Sequence, residues 1–97
     1  MNTKDIINKY YQSANAGDWN TWVSLFADNM IMDEQLAGHL EGIETLRGAI
    51  GGLETGYSRF QNKPQNIVID GQEACVVSHI SAANANGVPI EANVANY

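Results

Sequence analysis

The spacing of apolar residues predicts two helices at the start of the chain. Apolar side chains recur every three or four positions before Gly17, which indicates a first helix from Thr3 to the residue before that glycine. Gly17 can adopt the positive φ that ends a helix, and Asp18 can accept hydrogen bonds from the free N–H groups of a following helix. A second helix should therefore begin near Trp19.

A third helical pattern follows a loop that we predict over Leu36–Glu41. After Gly42, apolar residues repeat at helical spacing at Ile43, Leu46, Ile50 and Leu53. Positions 48, 51 and 52 are glycine, and each costs roughly 1 kcal/mol relative to alanine inside a helix. Either another layer packs closely on this helix, or the helix ends early.

An early strand is predicted over about Asn29–Gln35, where an unbroken apolar run leads into two acids. Because side chains alternate along a strand, Glu34 shares a face with Met30 and Met32, and Asp33 points the other way. We expect Glu34 to face a pocket and Asp33 to be the solvated acid. The alternative is that both acids face solvent at the end of the strand.

The second half of the chain changes to a period of two, which predicts strands at about Ser58–Asp70, Ala74–Asn84 and Val88–Tyr97. Asp-Gly at positions 70–71 and Asn-Gly at positions 86–87 are typical hairpin turns between consecutive antiparallel strands. Pro64 should interrupt the first strand or keep it at a sheet edge. Helices followed by a meander of strands indicate an α+β fold.

The last predicted strand carries one polar residue, Asn96, on a face that is otherwise apolar: Val88, Ile90, Ala92 and Val94. No turn or polar residue closes the sheet after this strand, so its edge can pair with another chain. We expect a single domain over residues 1–97 that is either truncated at its C-terminal side or completed by a strand from a partner.

Composition narrows the classes of function. The 97 residues suffice for one domain, and 5 basic against 11 acidic residues give a formal charge of -6, which argues against nucleic acid as a partner. No apolar run is long enough for a signal peptide or a membrane span, so we expect a soluble cytoplasmic protein with no membrane partner. Cys75 is the only cysteine, which excludes an intrachain disulfide and a thiolate metal cluster.

The segments NAGDW, LFADN and MIMDE, together with the later glycine-bounded helix, resemble the ketosteroid-isomerase, SnoaL and nuclear-transport-factor-2-like superfamily. The resemblance covers nearly the whole chain. It implies a curved, mostly antiparallel sheet that wraps on the N-terminal helices into a cystatin-like cone with an apolar pocket. It also implies a homodimer formed through the sheet. Members generally continue through one more strand, so we expect this chain to lack the last family strand.

The resemblance also implies site residues. Aligning LFADN with the isomerase branch places Tyr10 at the oxyanion-hole tyrosine, Glu34 at the general-base aspartate and, across gaps, Asn96 at a protonated aspartic acid. These roles would suit cofactor-free proton transfer next to a carbonyl, of isomerase or cyclase type, on a small apolar or carbonyl-containing ligand. A non-catalytic ligand-binding or dimerisation module on the same fold is the alternative, because this fold hosts many functions.

Further residues are candidates for the pocket wall. Met30, Met32 and Trp22 are apolar candidates, and Tyr10 itself can equally be a core residue whose hydroxyl reaches a polar rim. His39 is either a rim acid or base, or a solvated loop residue. His79 is expected in the interior or in the pocket wall. Neither histidine has a second one at ligand spacing, so we expect no metal site and no cofactor.

Overall fold

The computed structural model describes residues 2–34 and 38–97. In chain order the elements are α1 (Thr3–Ala16), α2 (Trp19–Ser24), β1 (Ile31–Glu34), β2 (Gly38–Glu41), α3 (Ile43–Gly56), β3 (Tyr57–Asp70), β4 (Glu73–Asn84) and β5 (Pro89–Asn96). Helices precede a meander of antiparallel strands, which confirms the predicted α+β class.

Side-chain and backbone caps fix the ends of the first two helices. The Asn2 side chain accepts a hydrogen bond from the backbone N–H of Asp5 at 2.9 Å, and Gly17 ends α1 with a φ of 72°. Asp18 accepts hydrogen bonds from the backbone N–H and the hydroxyl of Thr21, and these bonds lower the pKa of its carboxyl. The predicted break between the helices at Gly17 and Asp18 is therefore confirmed.

The larger sheet has the strand order β3-β4-β5. β3 is an edge strand, and its pairing with β4 shifts register between Pro64 and Asn66, so the proline lies at an edge and interrupts the ladder as predicted. The two predicted hairpin turns are also confirmed, because Gly71 and Gly87 have φ values of 62° and 81°.

β1 and β2 form a separate antiparallel hairpin, in which Met32 pairs with Leu40 and Asp33 with His39. The prediction of a loop up to Glu41 was wrong, because residues 38–41 form a strand. Those residues have weak strand propensity of their own, and pairing with β1 supplies the stabilisation that the sequence pattern did not reveal. The predicted strand end at Gln35 and the loop start at Leu36 lie outside the described residues.

α3 extends through all three of its interior glycines to Gly56. A Cβ added at Gly48, Gly51 or Gly52 would meet no atom within 4 Å, so no layer packs closely there. Both alternatives drawn from these glycines were therefore wrong. Burial of Ile43 and Leu46 in the core explains the helix, because tertiary packing outweighs the weak intrinsic propensity.

The main core lies between the helices and the start of the meander. Its buried side chains come from the end of α1, from α2, from the segment before β1 and from the first turn of α3: Ala14, Trp19, Trp22, Val23, Met30, Ile43 and Leu46. On β4, alternate residues such as Val76, Ile80 and Ala82 are buried on the face that the helices cover. Among the described residues, no helix is both long and apolar enough to cross a membrane.

Candidate functional site

A cavity of about 310 Å³ lies between the helices and the covered face of the sheet. Helices α1, α2 and α3 and strands β1 to β5 all contribute to its lining. Most of the lining is aromatic or aliphatic, and the chief polar members are Tyr10, Glu34, Asn62 and Asn96. An apolar hollow with a few polar groups is the usual form of a small-molecule site.

The alternation of β1 separates its two acids. Glu34 is half-buried and lines the cavity together with Met32 and Leu40, the residue that pairs with Met32. The Asp33 side chain is 74% exposed and faces away from the cavity. Of the two acids, Glu34 is the one that can reach a ligand held inside.

Tyr10 lines the same cavity from α1 and packs against Trp22 and Phe26, with ring centroids 5.6 and 6.1 Å apart. Burial away from water, aided by Tyr11 and by the negative charge of Glu34, raises the pKa of Tyr10 to about 12, and the nearby indole N–H of Trp22 opposes this rise. The phenol therefore keeps its proton at any physiological pH and remains a hydrogen-bond donor.

Asn96 reaches the cavity from the end of β5, and one N–H of its amide donates to the hydroxyl of Tyr11 at 3.2 Å. Tyr11 is buried, so this bond joins the last strand to α1 and orients the amide. A primary amide has two N–H groups, which means that one can donate to a ligand while the other is held. The structure thus brings Tyr10, Glu34 and Asn96 to one cavity.

The SnoaL-like domain model matches residues 7–96, almost the whole chain. The chain belongs to the SnoaL-like domain family. No curated protein matches it.

Solved structures share the fold of this SnoaL-like domain. The chain is similar to an uncharacterised cystatin-fold protein from Novosphingobium aromaticivorans, with 17% identity, a TM-score of 0.84, and coverage of 98% of this chain and 85% of that one. It is also similar to a nuclear-transport-factor-2-like protein of unknown function from Burkholderia pseudomallei, with 14% identity, a TM-score of 0.85, and coverage of 98% of this chain and 78% of that one. A third similar structure is a candidate polyketide cyclase from Pseudomonas putida, with 20% identity, a TM-score of 0.82, and coverage of 98% of this chain and 79% of that one. These likenesses confirm the predicted fold of helices wrapped by a curved antiparallel sheet.

Three candidate wall residues of the SnoaL-like domain do not line this cavity. Met30 is buried in the core before β1 begins. His39 lies on the exposed face of the hairpin, because it pairs with Asp33 rather than with a cavity residue. His79 alternates with the buried residues of β4 and lies on the opposite face of the sheet. The placement of Met30 and His79 in the wall was therefore wrong, and the exposed position of His39 agrees with the solvated alternative, although it lies on a strand and not in a loop. Met32 and Trp22 do line the cavity.

Both histidines form polar clusters outside the cavity. Nδ1 of His39 lies 2.5 Å from a carboxylate oxygen of Asp33 and its Nε2 lies 3.2 Å from Glu41, and the hydrogen bond to Asp33, followed by that to Glu41, raises the pKa of the imidazole. His79 contacts the side chains of Asn93 and Glu91. Among the residues that the structure describes, no group of three or more His, Cys, Asp or Glu side chains is arranged to hold a metal ion.

Two polar residues of the site were missed in the sequence. Tyr11 was not among the candidate residues, although it holds the amide of Asn96. Asn62 lies two residues after Phe60 on β3, and both side chains line the cavity. A polar residue that shares a strand face with apolar residues is the signal that identified Asn96, so the alternation of β3 could have revealed Asn62.

A second, more open cavity of about 1060 Å³ adjoins the first, since Tyr10, Met32, Glu34 and Asn96 line both. All four residues of β1 and the consecutive positions 95–97 border it. Consecutive residues of a strand project to opposite faces of the sheet. A space that contacts several consecutive residues therefore lies beside the edge of the strand, and here it borders the edges of β1 and β5. In the described part of the chain, β5 pairs only with β4, so this second cavity lies at the edge of the sheet of the SnoaL-like domain.

Proposed function

We propose that the protein binds a small, mostly apolar carbonyl compound in the inner cavity and catalyses cofactor-free proton transfer next to the carbonyl. The observation that supports this proposal is the placement of one carboxylate, one phenol and one amide, Glu34, Tyr10 and Asn96, around a single apolar hollow. Proton abstraction beside a carbonyl needs this combination of a base and neutral hydrogen-bond donors.

In the proposed reaction, the carboxylate of Glu34 takes a proton from the carbon next to the carbonyl group. The electron pair of the broken C–H bond forms the C=C bond of an enolate, and the negative charge moves to the oxygen. If Glu34 returns the proton to a different carbon of the same ligand, the result is an isomerisation. If the enolate carbon instead attacks a second carbonyl carbon of the ligand, a C–C bond forms, and Glu34 gives the proton to the oxygen of that second group, the result is a ring closure. Neither outcome needs an oxidant or a reductant.

Tyr10 and Asn96 would stabilise the enolate oxygen. Tyr10 stays neutral because its pKa is raised to about 12, and Asn96 donates at every pH because an amide does not ionise in this range. Tyr11 acts as a positioning residue, since it holds one N–H of the Asn96 amide. Preorganised donors of this kind contribute more inside an apolar cavity than in water.

We include ring closure beside isomerisation because some of the similar solved structures are candidate polyketide cyclases. Two of these come from Pseudomonas putida and Sinorhizobium meliloti. Their identities to this chain are 20% and 19%, so the likeness is one of fold. The chemistry of the proposal rests on the cavity residues of this chain.

Deuterium exchange tests the proton-transfer step without knowledge of the natural substrate. α-Tetralone, a bicyclic ketone, would be incubated with the protein in D2O, and loss of the proton signals beside its carbonyl would be followed by NMR. We expect exchange faster than the buffer background. Glu34→Gln should reduce it to background, and Tyr10→Phe should slow it by roughly a hundredfold or more, the usual effect of losing one donor to the oxyanion.

Asp33→Asn is the matched control, because Asp33 is the neighbouring acid on the exposed face of β1. It should exchange α-tetralone at the wild-type rate. Loss of exchange in this variant, with wild-type exchange in Glu34→Gln, would overturn the assignment of the base. Binding of α-tetralone without any catalysed exchange would instead favour the non-catalytic binding module.

Two further features of the proposal are a homodimer formed through the sheet and a location in the cytoplasm. One end of the outer face of the sheet is polar, and Arg59, Ser81 and Glu91 are linked there across three strands by hydrogen bonds at 2.6 and 3.2 Å. A face of this kind would give a dimer that weakens with salt. Light scattering at low and high ionic strength tests this, and a monomer at high protein concentration in both would overturn it.

A further inference from the structure

Polar atoms buried without a hydrogen-bond partner are uncommon in folded proteins, and each one calls for an explanation. Among the described residues there are three such side-chain atoms: Nε1 of Trp22, Oδ1 of Asn62 and Oγ of Ser78. Trp22 and Asn62 line the inner cavity, whereas Ser78 does not. Two of the three therefore belong to residues of the cavity wall.

Trp22 presents a donor from the helical wall of the cavity. The residue is 6% exposed, and its ring packs against Trp19, Tyr10 and Phe26 at centroid distances of 5.4, 5.6 and 4.9 Å. These contacts fix the indole, so its N–H cannot turn away to find another partner. The N–H lies beside the phenol of Tyr10 but makes no hydrogen bond of ordinary geometry to it, so a ligand oxygen that reaches the N–H would also come close to the phenol.

Asn62 presents an amide from the sheet wall. The residue is 8% exposed and sits on β3 opposite Ile80. Asn15 holds its backbone on both sides, because the Asn15 side chain donates to the carbonyl of Asn62 at 2.8 Å and accepts from its N–H at 2.6 Å. The backbone is thus anchored independently of the side-chain amide, whose oxygen is buried without a hydrogen-bond partner.

We propose that Trp22 and Asn62 determine specificity for a ligand with two polar ends, a carbonyl oxygen that accepts from Trp22 and a hydroxyl group that bonds to Asn62. An apolar body between these ends would match the aromatic and aliphatic lining of the cavity. A hydroxyl group suits the second end because it can both donate and accept, and so pairs with either orientation of an amide. This inference rests on the proposed function only in using the same cavity.

A set of four bicyclic probes tests both ends. The full probe is the α-tetralone with a phenolic hydroxyl para to its carbonyl, and the others are α-tetralone, the tetralin with the same hydroxyl, and tetralin itself. Their affinities would be measured by calorimetry on the full chain. We expect the full probe to bind most tightly, with about tenfold lost on removal of either polar group, the effect of one hydrogen bond to a buried partner.

Variants connect each end to one residue. Trp22→Phe should reduce binding of the two ketones about tenfold and leave the other two probes unchanged. Asn62→Leu should reduce binding of the two hydroxylated probes about tenfold and leave the other two probes unchanged. The backbone hydrogen bonds to Asn15 should preserve the strand in this variant. Ser78→Ala is the matched control, since it removes the buried atom that does not line the cavity, and should alter no affinity.

A spectroscopic measurement keeps the inference testable if Trp22→Phe fails to fold. The chain has two tryptophans, so an ¹⁵N-edited spectrum shows two indole N–H signals. One of them should move downfield with the ketones and not with tetralin.

Three results would overturn the inference: equal affinities across the four probes, losses in the variants that do not follow the polar groups, or no binding of any probe. The last result would also remove the proposed ligand site. Binding that follows the polar groups without catalysed exchange would uphold this inference and refute only the proton-transfer step.

Discussion

Ionisation of Tyr10 should destabilise the fold at high pH by an amount that follows from its surroundings. Its pKa is raised from 10.0 to about 12 in the folded chain, and each pKa unit corresponds to 1.36 kcal/mol. Between these values the unfolded chain releases the proton and the folded chain keeps it, so stability falls as pH rises. The contribution is fully present below pH 10, about 1.4 kcal/mol is lost by pH 11, and about 2.7 kcal/mol is lost above pH 12.

Comparison with Tyr10→Phe isolates this contribution from the other tyrosines and the lysines. Urea unfolding of both proteins from pH 8 to pH 12 should show the wild type losing these amounts of stability relative to Tyr10→Phe as pH rises. Absorbance of tyrosinate should show one late-titrating tyrosine lost in Tyr10→Phe. Tyr97→Phe is the control, because a hydrogen bond to Glu73 also raises the pKa of Tyr97. A constant difference between wild type and Tyr10→Phe would refute the burial of this phenol.

Three other changes have expected outcomes. The pKa of His39 is raised by Asp33 and Glu41, so its contribution to stability should be complete below about pH 6.5 and lost as pH rises through the folded pKa; thermal melts of His39→Gln should lack this dependence. Gly48→Ala should raise stability by about 1 kcal/mol in urea unfolding, because its Cβ meets no atom within 4 Å; a loss of stability would show crowding there. Asn62→Leu should melt at a higher temperature than wild type without ligand, because it removes an unpaired buried oxygen; a lower melting temperature would show that the amide is structural.

The sequence predicted those parts of the fold in which a local signal and the tertiary structure agree. The break at Gly17 and Asp18, the edge position of Pro64 and the turn at Gly87 each depend on one residue with a narrow conformational preference. β2 lacked such a signal, because its strand depends on pairing with β1. The prediction for α3 gave its glycines too much weight, because it did not include the burial of Leu46 in the core.

The site residues also divide into those that a local pattern predicted and those that it did not. Alternation along a strand placed Glu34 and Asn96 towards the interior, and helical spacing placed Tyr10 there. His79 was misplaced because an apolar neighbourhood in sequence does not reveal which face of a strand is covered. The hydrogen bond from Asn96 to Tyr11 joins residues 85 positions apart, and no local pattern reports such a contact.

The unpaired atoms in the cavity wall connect stability with binding. A buried donor or acceptor without a partner costs about 1–3 kcal/mol, while the net stability of a domain is only about 5–15 kcal/mol. For a 97-residue chain, Trp22 and Asn62 together therefore represent a large share of the available stability. Pairing both atoms with a ligand recovers that cost only in the bound state, so the same groups that weaken the free protein increase its affinity for a ligand with matching polar ends. A packing defect would behave differently, because filling it with an apolar side chain would raise stability without lowering the affinity for any ligand.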